Sequence, residues 1–329
     1  MIYQWCRWCT TFVLLSLLSG PSAQGQTTDL QRFEYRQTRM GMAVRVVLYA
    51  PSDSAARRAG TAAYRRMAEL ENIFSSYKAS SELNQIREQA VGTPVRVSAP
   101  LFTVLKDAQR LGRQSNGAFD VTAGPLFALW AQARETGTLP DSSALRQARR
   151  RVGWSKIQLN EDRRTVRLRA DSMQLNLGGI AKGYILDEAL DTLQTLGISR
   201  ALIEAGGDLV MSDPPPSEAG WTVQIPGAGS EGQADTLRLA DAAVSTSGDT
   251  YQSVVINGTR YSHVVDPRTG LGLTHHLLVT IISKNGMTAD GLATTVSVLG
   301  PDHGRAFLNE HYPAVTAYVR PHPQSLLSE

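Results

Sequence analysis

The stretch YSHVVDPRTG, Tyr261 to Gly270, sets a histidine, an aspartate and an arginine within six positions. A histidine with an ordinary pKa of about 6.5 can accept a proton near neutral pH. Arg268 suits a phosphate, although Asp266-Pro267 equally opens a common turn. In NLGGIAKGY, Asn176 to Tyr184, two glycines close a strand and Lys182 falls in the first turn of a helix. Backbone N–H groups at a helix start attract anions, and glycine lets a ligand approach closely. The spacing is not that of a Walker A loop, and the same residues would make a tight strand-to-helix turn with a surface lysine. In TADGLAT, Asp290 and Thr294 stand four apart, on one helical face. A carboxylate and a hydroxyl are hard donors, suited to Mg²⁺ and poor for zinc. Taken alone, the segment reads more simply as an acid favouring the helix dipole and a threonine bonding back to its own helix. AGGDL, Ala205 to Leu209, is a glycine pair after an apolar strand, and STSGD, Ser245 to Asp249, is a hydroxyl-rich turn suited to a phosphate or ribose; either would equally be an ordinary turn. His275-His276 resembles a metal pair, but neighbours on a strand point to opposite faces, so they read as strand-entry residues.

The elements that must position these groups follow from periodicity. Strands are predicted over Met42–Ala50, Ala201–Met211, Trp221–Ile225, Leu237–Thr246, Leu277–Ser283 and Ala314–Val319. Lys156 to Leu177 alternates like paired strands around Asn160-Glu161-Asp162. Asn257-Gly258 predicts a hairpin between Ser253–Ile256 and Arg260–Val265. Helical spacing runs over Ser54–Phe74, Leu101–Arg113, Ser142–Arg151, Ile180–Leu196 and Thr288–Leu299, with Pro125 opening another helix. SSYKASS, after Phe74, and Ser212–Gly220 read as loops. Helices mix with antiparallel hairpins without a steady βαβ rhythm, which predicts an α+β fold with largely antiparallel sheets and flanking helices.

The chain is 42% hydrophobic and 19% charged, with ample length for a packed core. Its net charge is only +3, and the densest basic run, Arg149-Arg150-Arg151, reads as a solvated helix end. Nothing in this pattern points to nucleic acid. TFVLLSLLS, Thr11 to Ser19, follows Arg7 and precedes small residues. It is too short to span a bilayer and reads as a signal peptide over residues 1–25, leaving 26–329 as one domain. A periplasmic or exported protein is expected, held at the inner membrane if the segment stays uncleaved. Both cysteines, Cys6 and Cys9, lie in that segment, so the mature chain would have no thiolate or disulfide chemistry. Glycine turns, a lysine at a helix start, an Asp/Thr pair and a histidine strand end suit a Mg²⁺-bound pyrophosphate. A periplasmic ligand-binding protein would also satisfy them.

The order of motifs narrows this. Met40-Gly41, SSYKASSELNQI, GAFDVTAGPLFALW, NLGGIAKGYILD, IEAGGDL, STSGD, YSHVVDPRTG and ADGLATTVSVLG, in that order, resemble the FAD:protein FMN transferases, the ApbE family. SHVVDPRTG and GGIAKGY are the most specific pieces, and the likeness runs from about Met40 to the last strand. The resemblance implies an enzyme that takes FAD as substrate and Mg²⁺ as cofactor. It would transfer FMN to a Thr or Ser hydroxyl of a target protein, expected to be a membrane-associated redox subunit, and release AMP. It also implies that Met40, Tyr77, Ala118, Phe119, Asp120, Asn176 and Lys182 line the FAD site. Asp290 and Thr294 would hold the metal with the Gly179 carbonyl, and His263 would be the base. The plainer reading of Asp290 and Thr294 is thus reversed by resemblance, not by spacing.

Two positions depart from the family pattern. Asn176 stands where many members have aspartate, losing a charge but keeping an acceptor. Gly272 replaces a proline often seen after the DPRTG turn. An FAD pyrophosphatase with water as acceptor would use the same site, and an FAD-binding protein without turnover would share its binding half. Asp266 and Arg268 are expected to shape the turn.

Overall fold

The structure, a computed structural model, describes residues 29–226, 234–248 and 253–321. The segment expected to be a signal peptide, with Cys6 and Cys9, lies outside the described residues, as does Asp249 of STSGD. The chain opens with β1 (Gln31–Arg39) and β2 (Met42–Ala50), a hairpin turned by Met40 and Gly41 at φ 53° and 73°. Next come α1 (Asp53–Phe74), α2 (Glu82–Gln89), β3 (Val95–Arg96), α3 (Ala99–Gln114), α4 (Gly124–Thr136) and α5 (Ser142–Arg149). Then follow β4 (Ile157–Asn160), β5 (Thr165–Leu168), α6 (Ala181–Thr195), β6 (Ala201–Ala205), β7 (Asp208–Met211), β8 (Trp221–Ile225), β9 (Asp235–Leu239) and β10 (Ala242–Gly248). The last elements are β11 (Ser253–Ile256), β12 (Thr259–Ser262), β13 (Val265–Asp266), β14 (Leu271–Gly272), β15 (Leu277–Ser283), α7 (Gly286–Leu299), α8 (Pro301–His311) and β16 (Thr316–Pro321).

Seven strands form one sheet in the order β1-β2-β6-β7-β10-β15-β16, antiparallel at every pairing. The strand alternation decides its two faces. Val44, Val46 and Leu48 of β2, with Ile203, Val210, Val279 and Ile281, face α1, α6 and α7 in the main core. Each such side chain contributes about 1.5–3 kcal/mol by leaving water. Val47, Leu202, Met211 and Val244 face the other way and are covered by Trp221, Val223 and Ile225 of the β8–β9 ribbon.

A separate, smaller cluster surrounds α4. Its Trp130 packs edge-on against Tyr261 at 5.4 Å between ring centres, with Ile256 and Val265 beside it. This cluster supports the β11–β12 hairpin and the short β13–β14 pair. Leu273 and Val264 then meet Ala118 and Val298, tying this arm to α7. Among the described residues no helix is long and apolar enough to cross a membrane.

The α+β architecture is as expected, and the Asn257-Gly258 hairpin forms, with Asn257 at φ 50° and Gly258 at φ 76°. Its second strand, expected over Arg260–Val265, stops at Ser262, where the chain bends at His263 and Val264 before β13. Four other details differ. The expected strand Ala201–Met211 is a hairpin, because Gly206 and Gly207 take φ 53° and 89° and reverse the chain. Leu237–Thr246 is likewise two strands, broken at Asp241 with φ 50°. The alternation after Arg169 makes no strand; that segment touches Ala123 only through a single bridge at Gln174. STSGD is strand rather than turn through Gly248, paired with β15.

Candidate active site

Helices α6 and α7 cross at two glycines. A Cβ on Gly183 would lie 2.1 Å from the Gly286 carbonyl, and one on Gly286 would lie 2.7 Å from the Gly183 carbonyl. Only glycine permits this approach. It brings the Gly183 N–H to Asp290, donating to Oδ2 at 3.0 Å. Asp290 is buried, and its pKa is pushed up to about 7, by burial first and by the charge of Asp208 second. One residue before Gly183, the Lys182 ammonium pairs with Asp208 at 3.0 Å. Burial works against its charge, but Asp208 and Asp290 more than offset this, so Lys182 sits above the ordinary lysine pKa. Asp208 also accepts from Ser245 Oγ at 2.7 Å, and burial holds it above the usual carboxylate range.

Thr294 lies one turn beyond Asp290. A Cβ on Gly179 would fall 3.0 Å from Thr294 Oγ1 and 3.3 Å from Phe119. The threonine hydroxyl thus stands against the glycine turn, one helical turn beyond the buried Asp290 carboxylate. Their donors are hard oxygens. Among the described residues no three His, Cys, Asp or Glu gather as a metal cluster, so the set is one carboxylate plus neutral oxygens. That set fits Mg²⁺, which takes few protein carboxylates and relies on substrate phosphates. A buried carboxylate with a raised pKa is the group a cation would relieve.

A cleft of about 610 Å³ opens beside this crossing. Met40, Tyr77 and Lys182 line it, with Leu177 and Gly178 between Asn176 and Gly179. Asn176 Oδ1 accepts from the Gly178 N–H at 2.8 Å and so shapes the glycine turn. The Tyr77 ring is 95% exposed at the rim, so it makes little use of its apolar face within the chain and can stack on a ligand ring. Its loop is held rigid: Asn84 Nδ2 donates to the Lys78 carbonyl at 2.9 Å and the Ser76 carbonyl at 3.1 Å. Glu71 joins the two rims, accepting from the Met40 N–H at 3.3 Å and pairing with Lys78 at 3.0 Å. Ala118, Phe119 and Asp120 are buried and do not line the cleft; Phe119 backs onto Gly179. The Asp120 carboxylate is already committed, accepting from Thr122 N and Oγ1 and from Trp154 N at 2.6–2.9 Å.

His263 sits at the bend between β12 and β13, half-buried. The backbone on both sides is fixed. Trp130 Nε1 donates to the Ser262 carbonyl at 3.0 Å, the Leu273 N–H donates to the Val264 carbonyl at 2.9 Å, and the Val264 N–H donates to Ser262 Oγ at 3.1 Å. Asp266 caps the following turn, accepting from the Arg268 backbone N–H at 2.8 Å and from its guanidinium at 2.9 Å. Asp266 and Arg268 thus serve the turn, as expected. His275 and His276 precede β15, also as expected, and His275 Nε2 lies 2.7 Å from the Ser297 carbonyl of α7.

Sequence reasoning passed over Asp208, Glu71 and Asn84. Asp208 follows the glycine pair of AGGDL, but its role needs β7, β10 and α6 to meet. Asn84 lies inside the SSYKASSELNQI motif, where its three-residue offset from the cap serine Ser81 was the available signal.

Hard oxygens beside an ammonium and a glycine turn, next to a cleft lined by Lys182, suit a phosphorylated ligand. The protein belongs to the ApbE family, whose sequence pattern it matches over residues 40–319. It is 32% identical over 247 residues to the FAD:protein FMN transferase of Vibrio cholerae, covering 74% of this chain and 73% of that one. It is 32% identical over 258 residues to the Haemophilus influenzae enzyme of the same name, covering 75% and 74%. Its fold superposes on the flavinyl transferase ApbE of Pseudomonas stutzeri, apo form, with TM-score 0.79 at 26% identity, covering 89% of this chain and 92% of that one. The flavin transferase ApbE of Vibrio cholerae gives TM-score 0.79 at 28% identity, with 88% and 94% covered.

Proposed function

We propose that this enzyme transfers the FMN half of FAD to a Thr or Ser hydroxyl of a target protein and releases AMP. The observation that carries this reading is the α6–α7 crossing, where Asp290 lies beside Lys182 next to the cleft and Thr294 stands against Gly179. The names of its relatives favour flavin transfer. The N-terminal leader would place the reaction outside the cytoplasm, on a membrane-associated redox subunit.

Tyr77 and Met40 would hold a ring of FAD at the rim, and Lys182 would face the pyrophosphate. Mg²⁺, held by Asp290, Thr294 and the Gly179 carbonyl, would neutralise charge on the phosphates as the bond breaks. His263 accepts the proton of the acceptor hydroxyl. The hydroxyl oxygen bonds to the FMN phosphorus, the bond from that phosphorus to the bridging oxygen breaks, and AMP leaves with that oxygen. Rigid backbone on both sides of His263 keeps the base in one place, which favours attack by an oriented hydroxyl.

The test is mass spectrometry of a threonine-bearing periplasmic redox domain, incubated with the enzyme, FAD and Mg²⁺, beside Asp290→Ala. A gain of one FMN, absent in the variant, is expected. Free FMN and AMP with an unchanged acceptor would replace transfer by hydrolysis. Intact FAD would leave a binding protein.

A further inference from the structure

We propose that Asp187 is a positioning residue for flavin transfer. From α6 it caps α7 and so sets the metal-binding carboxylate against the phosphate-facing lysine. The inference rests on the function proposed above.

The first N–H groups of a helix have no partner within it. In α7 each has a named acceptor. Gly286 N–H donates to Asp187 Oδ1 at 2.6 Å, and Met287 N–H donates to Asp187 Oδ2 at 2.9 Å. Thr288 N–H donates to Asn285 Oδ1 at 2.9 Å, and Ala289 N–H to the Asn285 carbonyl at 3.2 Å. Half of these donors are thus served from another helix, about a hundred residues away in sequence. Both carboxylate oxygens are used, so the clamp fixes orientation as well as distance. Negative charge at this end also favours the helix dipole.

Asp187 stands one turn after Gly183 on the same face of α6, and Gly183 is the residue bonded to Asp290. The crossing is therefore gripped at two successive turns. Lys182 rides on the first turn of α6, and Asp290 on the second turn of α7. A slip of one helix against the other would separate the two without unfolding either. Asp187 touches neither, which is why its role is to position.

The experiment follows FAD binding by flavin fluorescence, with and without Mg²⁺. All proteins are the full chain carrying His263→Ala, so that no turnover intrudes. Asp187→Ala and Asp187→Asn are compared with this parent and with Asp141→Ala. The last removes a cap from α5, where Asp141 accepts from Ser143 N–H at 2.8 Å. In the parent, Mg²⁺ is expected to tighten FAD binding. In Asp187→Ala this tightening should shrink by about tenfold or more, the size usual for supports of metal ligands, while affinity without Mg²⁺ stays within about twofold. Asp187→Asn keeps one acceptor and should fall between; it carries the test alone if the alanine variant does not fold. Asp141→Ala should lower the melting temperature yet keep the full Mg²⁺ effect. Full Mg²⁺ tightening in the Asp187 variants, whatever their melting temperature, overturns the proposal. A parent that binds FAD no better with Mg²⁺ instead sinks the functional reading, and the positioning role with it.

Discussion

The two halves of the site are built differently. The binding half lies in the main core, where α6 and α7 press together through two glycines and enclose Asp208, Asp290 and Lys182. The half proposed to accept the proton hangs on a satellite cluster, with the backbone around His263 held by Trp130, Val264 and Leu273. One half gathers interacting charges beside the cleft; the other is held by hydrogen bonds to backbone around its histidine. Charges in the first half should therefore trade stability against activity, while changes in the second should alter rate without altering binding.

Asp290→Asn tests that trade most severely. Asparagine keeps an acceptor for Gly183 N–H but removes a buried charge beside Asp208. If Asp290 holds Mg²⁺ as proposed, flavin transfer should fall by on the order of 10³, since such a charge would contribute several kcal/mol in the transition state. The melting temperature without Mg²⁺ should rise, as stabilising changes at functional sites often do. A fall in both, measured by calorimetry and by flavin incorporation, would show that Asp290 is a structural acid. His263→Ala should lower kcat by about 10²–10⁴, the usual range for a general base. Fluorescence should find FAD affinity within about twofold of wild type; a large loss of affinity would place His263 in the binding half.

Legibility in the sequence followed the same division. The satellite arm was readable because Asn257-Gly258 is a local turn signal and DPRTG is a local cap. The binding half was readable only as fragments. Lys182, Asp290 and Thr294 sit on helices with clear periodicity, but the crossing that unites them depends on two glycines far apart in the chain. Asp187 looks like any surface acid of an amphipathic helix until Gly286 meets it. Asp208 needs two strands and a helix to meet. β1 went unseen because QRFEYRQTR is an edge strand with mostly exposed polar residues, and only Phe33 and Tyr35 mark its inner face. α2 and α8 are short and bury few side chains, so their periodicity is thin.

Asp187 gives the binding half a pH signature. Burial raises its pKa to about 6, although Gly286 and Met287 N–H groups oppose this and the charges of Asp191 and Glu188 add to it. The unfolded value is about 3.9. Between these values the folded chain keeps a proton that the unfolded chain releases, so stability falls as pH rises through the window and levels off above it. The span corresponds to on the order of 3 kcal/mol at most. Urea titrations at pH 4 to 7 should show a shallower decline for Asp187→Asn than for wild type; parallel curves would mean that the two N–H groups win over burial.

Trp130→Phe probes the support beneath His263. It removes the donor to the Ser262 carbonyl while keeping most of the ring packed against Tyr261. An unpaired buried carbonyl costs about 1–3 kcal/mol. The melting temperature should drop and kcat should fall, with the KM for FAD unmoved. A change in KM alone would contradict the division between the two halves.

The smallest effect is expected one turn further along the same arm. The Arg268 guanidinium lies on the Asp266 carboxylate at 2.9 Å, but its side chain is 45% exposed. Exposed pairs of this kind contribute about 0–1 kcal/mol. The turn itself does not depend on that charge, because the Arg268 backbone N–H still reaches Asp266 Oδ1, and the Thr269 and Gly270 N–H groups still reach the Asp266 carbonyl. Arg268→Ala should therefore leave the turn, the position of His263 and the rate of transfer almost unchanged, whereas Asp266→Ala should loosen all three. If Arg268→Ala slowed transfer tenfold while Asp266→Ala did no more, the guanidinium would have to leave Asp266 and reach the pyrophosphate during the reaction. The arm would then supply charge as well as a base, and the contrast between a charged half and a geometric half would fail at this residue.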